Sequence, residues 1–205
     1  MSTSEKLSLT NVRLSFARLF VPKAFREGQA ARYESAFLLD PSNEEHQGLI
    51  EMIQERALEV VKEKFNGKVP KGLDLCFGYA DGDPIVVGPN KYASKPKEYD
   101  GYEGMFFITS ANTTKPKVVG RTRGDDGKFR QLEEEDGIVY SGCYVNATIA
   151  LWAQDNEFGK RVNANLRAVQ FVREGEAFGV APVDANDEFD EVEIPEGEEA
   201  ENWDD

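Results

Sequence analysis

The sequence predicts a mainly β protein, either a small barrel or a sandwich, with a single helix. Apolar residues alternate with a period of two through much of the first 180 positions, and turn residues separate the alternating runs. Only one segment has apolar residues at helical spacing. A chain of 205 residues with 40% hydrophobic residues has room for one domain with a substantial core.

The first strand is predicted from Leu7 to Phe16, where the alternation slips at Asn11 in a way that suggests a bulge. A second strand is expected at 33–39. One helix then follows, at about 42–66. Ser42 is its expected N-cap, in a capping box with Glu45, and Asn66-Gly67 is its expected stop. The apolar positions of this helix are Leu49, Ile50, Ile53, Ala57, Leu58, Val61 and Phe65.

The rest of the body reads as strands. Gly124 to Gly127 forms a predicted turn between two short strand-like runs. The further strands are expected at 73–79, 105–111, 117–121, 138–154 and 161–173. Many strands with a single helix between early ones are typical of a small closed or sandwiched sheet.

The charge divides the chain into two parts. The net charge is −14, but residues 184–205 hold 12 acidic residues and no Lys or Arg, so residues 1–183 carry only −2. We therefore predict a folded domain at 1–183 and a disordered acidic tail at 184–205. The tail is either a solubilising segment or a partner-docking peptide, whose anchors would be Phe189, Trp203, Asp204 and Asp205.

Composition argues against several classes of protein. No apolar run is long enough to span a membrane, and the first residues do not resemble a signal peptide. Two separate cysteines give no disulfide framework, so a soluble, reduced protein of the cytoplasm is expected. The single histidine, His46, is expected to be exposed on the helix, and the Asp and Glu pairs lie in turn-like sequence. We therefore predict a protein without catalytic activity, metal or cofactor.

Residues 91–130 combine positive charge with aromatic rings. Nine basic residues stand against five acidic ones, and aromatic residues are interleaved among them. Cations that follow phosphates and rings that stack on bases are the means by which proteins bind flexible single strands. The alternative is a solvated loop beside a few core aromatics. The predicted DNA-binding residues here are Lys91, Tyr92, Lys95, Lys97, Tyr99, Tyr102, Lys115, Lys117, Arg121, Arg123, Lys128 and Arg130.

The next two strands support the same hypothesis. Between 138 and 152 the odd positions are mostly apolar, including Cys143, whereas the even positions hold three aromatic rings among small and polar residues. The last strand alternates in the same way, with basic and amide side chains on one side. Together these patterns predict a groove for single-stranded nucleic acid, with contacts from Tyr140, Tyr144, Trp152, Arg161 and Arg167.

Five runs of the sequence form a recognisable set: Arg13–Phe16, Leu19–Pro22, Tyr33–Leu39, Ile138–Ala147 and Gly159–Gln170. The most specific part is the YSGCYVNA run with the segment that follows. Over most of residues 7 to 180 the chain thereby resembles the tailed-phage single-stranded DNA-binding proteins of the Enc-phage type. The resemblance implies an OB-fold and sequence-tolerant binding of single-stranded DNA, without catalysis, in phage replication or recombination.

An acidic C-terminal tail is shared by many replicative single-strand binders. By this likeness we expect the tail to compete with DNA for the groove and to recruit replication proteins. The competing hypotheses are a protein-interaction module that acts through its tail, a metal-dependent nuclease and a structural virion component. The sequence makes no prediction of the oligomeric state.

Overall fold

The computed structural model describes residues 5–24 and 28–179. Within these residues the chain forms eleven strands, one α-helix (α1, Glu44–Lys64) and one turn of 3-10 helix (Glu134–Asp136). The strands are β1 (Leu7–Lys23), β2 (Arg32–Leu39), β3 (Asp74–Leu75), β4 (Phe77–Tyr79), β5 (Ile85–Val87), β6 (Asn90–Tyr92), β7 (Phe106–Asn112), β8 (Lys117–Arg123), β9 (Phe129–Gln131), β10 (Tyr144–Asn156) and β11 (Gly159–Arg173).

Five of the strands close into a barrel. Strand β1 pairs antiparallel with both β2 and β10, β2 pairs with β7, and β10 pairs with β11. A parallel contact between Ala111 of β7 and Asn165 of β11 completes the ring. The order around the barrel is therefore β1-β2-β7-β11-β10. This confirms the predicted mainly β fold, and its five-stranded closed barrel is that of an OB-fold.

The barrel interior is built from alternate residues of these strands. Val145, Ile149 and Leu166 are fully buried in one continuous core, as the period-two alternation predicts. Both cysteines are buried there as free thiols. Burial raises the pKa of Cys76 to about 12 and also raises that of Cys143.

Two irregularities in strand pairing redirect side chains. The register between β1 and β10 shifts between Leu9 and Val12, and Asn11 between them has a φ of 51°. The predicted bulge at Asn11 is thus confirmed. A second shift between β10 and β11 leaves Arg167 as an extra residue, because Thr148 pairs with Ala168 and Ile149 with Leu166.

Helix α1 begins one residue later than expected. Asn43 is the N-cap, and its side-chain oxygen accepts hydrogen bonds from the backbone N–H groups of Glu45 and His46. The predicted capping box of Ser42 with Glu45 is wrong, because the Ser42 hydroxyl donates to Asp40 instead. At the other end, Asn66 and Gly67 have positive φ, so the predicted stop is confirmed.

His46 is buried rather than exposed. Its Nδ1 accepts a hydrogen bond from the Asp40 backbone N–H at 2.9 Å, and its Nε2 lies 3.3 Å from the Asn11 carbonyl oxygen. The expectation of an exposed residue failed because the first turn of the helix places His46 beside the β1 bulge at Asn11. His46 therefore joins the helix N-terminus to the barrel.

Two predicted strands differ from the observed ones. The run at 73–79 splits into β3 and β4 because the Cys76 N–H donates to Val162 of β11 while its carbonyl oxygen accepts from Thr109 of β7. The run at 138–154 becomes a strand only from Tyr144. Gly142 has a φ of 114°, which breaks the strand just before it.

No helix in the described ranges, 5–24 and 28–179, is both long enough and apolar enough to cross a membrane. The boundary predicted at 183/184 and the acidic tail lie outside the described residues.

Candidate nucleic-acid interface

One outer surface of the barrel is defined by a row of residues at the same height on four strands. Arg18 pairs with Glu34, Glu34 with Ala111, and Ala111 with Asn165. Glu34 and Arg18 also form an ion pair at 3.5 Å, with both side chains partly exposed. In OB-type barrels the outer face of the second and third strands, here β2 and β7, is the surface on which nucleic acid lies. We call these four residues the cross-barrel row.

Four residues further along β2, at the pair Leu38 and Phe107, the chain segment 94–105 covers the outer face of β2 and β7. Tyr102 and Phe107 form a second, smaller cluster with Leu38 and Ala80. The covering segment leaves Lys95 and Tyr99 exposed on its outer side. Part of the basic, aromatic stretch predicted from sequence is therefore placed on the expected binding face.

Phe16 of β1 packs against Tyr99 and Tyr102 of this covering segment, and the three rings form an aromatic cluster. The ring centroids of Phe16 and Tyr99 are 5.1 Å apart, and those of Tyr99 and Tyr102 are 5.3 Å apart, each pair edge to face. Phe16 has a φ of 52° within a register shift of β1. Phe16 and Tyr99 remain 38% and 53% exposed, so both keep ring surface for a ligand.

Two predicted stacking residues are core residues instead. Tyr92 is buried, and its hydroxyl donates to the Pro70 carbonyl oxygen at 2.6 Å. Tyr102 is also buried, hydrogen-bonds Ser15 and has a raised pKa because of its burial. The prediction that these rings bind DNA is wrong, because neither offers a ring face to a base.

Of the three aromatic rings predicted around β10, only Trp152 is exposed. The Tyr140 hydroxyl donates to the Gly175 carbonyl oxygen at 2.8 Å. The Arg173 guanidinium lies 3.3 Å from the centre of the Tyr144 ring, which covers one face of that ring. Stacking of DNA bases on Tyr140 or Tyr144 is therefore not favoured by this arrangement.

Residues 174–179, which we call the C-terminal strap, follow β11 and pass beside Tyr140 and Arg13. The Arg13 guanidinium donates to the Glu176 carbonyl oxygen at 2.7 Å and lies 4.3 Å from the centre of the Phe178 ring. The Gly179 N–H donates to the Asp100 carboxylate at 3.0 Å. The strap thus ends beside Tyr99, at the edge of the aromatic cluster.

The predicted cations fall into two groups. Lys115, Lys128, Arg130 and Arg161 are paired with Glu133, Asp126, Asp136 and Asp74. The hydrogen bond that the Lys115 ammonium donates to the Glu133 carboxylate raises the pKa of Lys115. Within the described ranges, no carboxylate lies within ion-pair distance of the second group, which consists of Lys91, Lys95, Lys97, Lys117, Arg121, Arg123 and Arg167.

Several members of the second group are held by other contacts. Lys97 lies 5.7 Å from the centre of the Phe107 ring. On the hairpin of β8 and β9, Arg121 lies over Phe171, and Arg123 lies 4.1 Å over Phe129. Among the described residues these cations have no carboxylate partner, and a phosphate-binding surface requires such cations.

Sequence reasoning missed Phe158, which lies in the hairpin between β10 and β11. It is 84% exposed. This hairpin connects the fourth and fifth barrel strands, and that connection contributes to nucleic-acid binding in OB-type barrels. The signal was present in the sequence: an aromatic residue between the turn residues Asn156 and Gly159 has no core side to enter.

No cluster of three or more His, Cys, Asp or Glu side chains able to hold a metal ion occurs in the part of the chain that the structure describes. The tail residues Phe189, Trp203, Asp204 and Asp205, predicted to dock partners, lie outside the described residues.

The barrel topology, the exposed aromatic residues and the cations that lack a carboxylate partner among residues 5–24 and 28–179 define an OB-type barrel with a candidate nucleic-acid face. The chain belongs to the family described as Enterobacter phage Enc34, ssDNA-binding protein, which matches residues 5–201. This confirms the resemblance found in the sequence.

Two solved structures and one further phage protein are similar to this chain. The single-stranded DNA-binding protein from bacteriophage Enc34 in complex with ssDNA is similar with a TM-score of 0.67 and 26% identity, over 85% of this chain and 89% of that one. A further solved structure of the single-stranded DNA-binding protein from bacteriophage Enc34 has a TM-score of 0.65 and 25% identity, over 90% of each chain. Protein p50 of Acyrthosiphon pisum secondary endosymbiont phage 1 is 37% identical over 197 residues, which is 95% of this chain and 97% of p50.

Proposed function

We propose that this protein binds single-stranded DNA with little sequence preference and supports phage DNA replication or recombination in the cytoplasm of the infected cell. One observation carries the proposal: exposed rings lie at two places where OB-type barrels bind nucleic acid. Phe158 is in the hairpin between the fourth and fifth barrel strands, and Tyr99 is on the segment that covers β2 and β7. Family membership and the Enc34 protein solved with ssDNA support the same function.

Binding combines two contributions. Lys95 and Arg167, which have no carboxylate partner in the described part of the chain, neutralise phosphates and release counterions, so affinity falls as salt rises. Exposed rings stack on bases, each contributing roughly 1–3 kcal/mol, and any base is accepted because every base has a ring face. Neither contribution involves a metal, a cofactor or a chemical step.

The acidic tail regulates this surface. Twelve negative charges in residues 184–205 compete with phosphates for the same cations, and their displacement by DNA makes the tail available to replication proteins. The position of the strap supports this role, because Gly179 lies against Asp100 beside Tyr99.

The test is fluorescence anisotropy with labelled oligo-dT across a range of salt concentrations, comparing residues 1–205 with 1–183. We expect tight, salt-sensitive binding that strengthens on truncation. Unchanged affinity after truncation would remove the masking role and keep DNA binding. Absence of binding by both chains at low salt would refute the proposal and favour a protein-interaction module.

A charge-matched pair of variants sharpens this test. Lys95→Gln should lower the steepness of the salt dependence by about 0.7, the value for one phosphate contact on a single strand. Lys62→Gln, at an exposed position of α1 outside the surfaces described above, removes the same charge and should change the salt dependence less than Lys95→Gln does. Equal effects of the two substitutions would show that only net charge matters.

A further inference from the structure

The Trp152 indole is fixed by a hydrogen bond to the neighbouring strand. Its Nε1–H donates to the Asn165 side-chain oxygen at 3.0 Å. In the register of β10 and β11, Trp152 is opposite Asn163, whereas Asn165 is opposite Ala150. The bond therefore runs diagonally across the two strands, and the indole must extend over β11 to make it. The side chain is still 39% exposed.

Asn165 connects this ring to the proposed binding face. It is an exposed member of the cross-barrel row, beside Ala111 of β7. Its oxygen accepts from the indole, while the neighbouring Asn163 is engaged by Gln154 at 3.0 Å. Arg167, two residues along the same strand, is the extra residue of the bulge and is exposed.

We propose that Trp152, Asn165 and Arg167 form one nucleotide subsite, in which Asn165 is a positioning residue that holds the indole ready for a base. This inference rests on the proposed function. The indole supplies the stacking surface, and Arg167 supplies a cation for the phosphate of the same or the next nucleotide.

The contribution of Asn165 is preorganisation. An indole free to change rotamer must be immobilised when a base stacks on it, and that loss of entropy weakens binding. An indole already held by Asn165 avoids this loss. Removing the bond should therefore weaken affinity by roughly two- to tenfold, which is less than the loss of the ring itself.

The experiment uses the full chain with Trp203→Phe, so that Trp152 is the only fluorescent tryptophan. Asn165→Leu removes the acceptor and keeps the volume. We expect lower steady-state anisotropy of Trp152 in the free protein and two- to tenfold weaker binding of oligo-dT. Asn165→Asp keeps an acceptor oxygen and should preserve the Trp152 anisotropy, even though its charge weakens DNA binding. Asn163→Leu removes an amide from the same face without removing the bond to Trp152. It should change the Trp152 anisotropy and the oligo-dT affinity less than Asn165→Leu does.

A double-mutant cycle with Trp152→Phe decides the outcome. Phenylalanine keeps an aromatic ring but has no N–H to donate, so Asn165→Leu should have no further effect on affinity in that background. An equal loss in both backgrounds would overturn the positioning role. Normal binding by Asn165→Leu would also overturn it while leaving the proposed function intact. Failure of the parent protein to bind oligo-dT would instead refute the proposed function.

Discussion

Replacing Gly142 with alanine should destabilise the protein through the C-terminal strap. Gly142 has a φ of 114°, a conformation that costs an L-residue of order 1–3 kcal/mol. An added Cβ would also lie only 2.8 Å from the Cα of Ala177 and still closer to the Glu176 carbonyl oxygen. Both are strap backbone atoms, so the clash can be relieved only by moving the strap.

The free energy needed to move the strap sets the upper limit of this loss of stability. Hydrogen bonds to the barrel and to Asp100 hold the strap, and each contributes about 0.5–1.5 kcal/mol. Their loss is partly offset by the entropy regained. We expect a loss of about 2–4 kcal/mol in the free energy of unfolding. The bonds join Tyr140 to Gly175, Arg13 to Glu176, Ser141 to Phe178 and Asp100 to Gly179.

Urea denaturation followed by tryptophan fluorescence measures this loss. Gly104→Ala is the matched control, because Gly104 also has a positive φ, 69°, but no atom within 4 Å of an added Cβ. The control should lose only about 1 kcal/mol. If Gly142→Ala is no less stable than Gly104→Ala, the proposed close packing of the strap against Gly142 is refuted.

Further predictions separate binding residues from core residues. Tyr99→Ala should weaken oligo-dT binding by about 1–3 kcal/mol with little change in stability, whereas Tyr92→Phe should cost about 1 kcal/mol of stability and leave affinity unchanged. Anisotropy titrations and urea melts test both, and the reverse pattern would contradict the assignment. Phe158→Ala should weaken DNA binding without lowering the urea midpoint, since its ring is exposed; unchanged affinity would exclude the hairpin from the interface. Because burial raises the Cys76 pKa from 9.0 to about 12, the unfolded chain loses this proton first as the pH rises. Stability should therefore fall from about pH 9 towards pH 12, and a matched Cys76→Ala protein should show a smaller fall in pH-dependent urea melts.

Local pattern was sufficient for the elements and the core. Strand alternation depends only on which face of a pleated strand is apolar, and for that reason Ile149 and Leu166 could be placed inside from the sequence. The bulge at Asn11 and the stop at Asn66-Gly67 are likewise local. The N-cap was misplaced by one residue because Ser42 and Asn43 are both good caps, and the choice depends on the hydrogen bond from Ser42 to Asp40.

The candidate site was only partly predictable. Sequence placed positive charge and aromatic residues in one stretch and located Tyr99 and Trp152 correctly on the surface. It also placed Tyr92 and Tyr102 there, although both are buried. The sequence also could not show which cations form ion pairs. Lys115 and Glu133, for example, are distant in sequence and meet only in the fold.

The sequence by itself determined the class of this protein: a mainly β body of low net charge, a strongly acidic C-terminal segment and a set of aromatic and basic residues suited to nucleic acid. Only the tertiary structure decided which rings face solvent. The physical reason is that alternation assigns a side chain to one face of its own strand, whereas exposure depends on what crosses that face. The segment 94–105 packs on β2 and β7 and points its own Tyr102 inward against Leu38 and Phe107. No described residue covers Phe158 in the β10–β11 hairpin, which is 84% exposed.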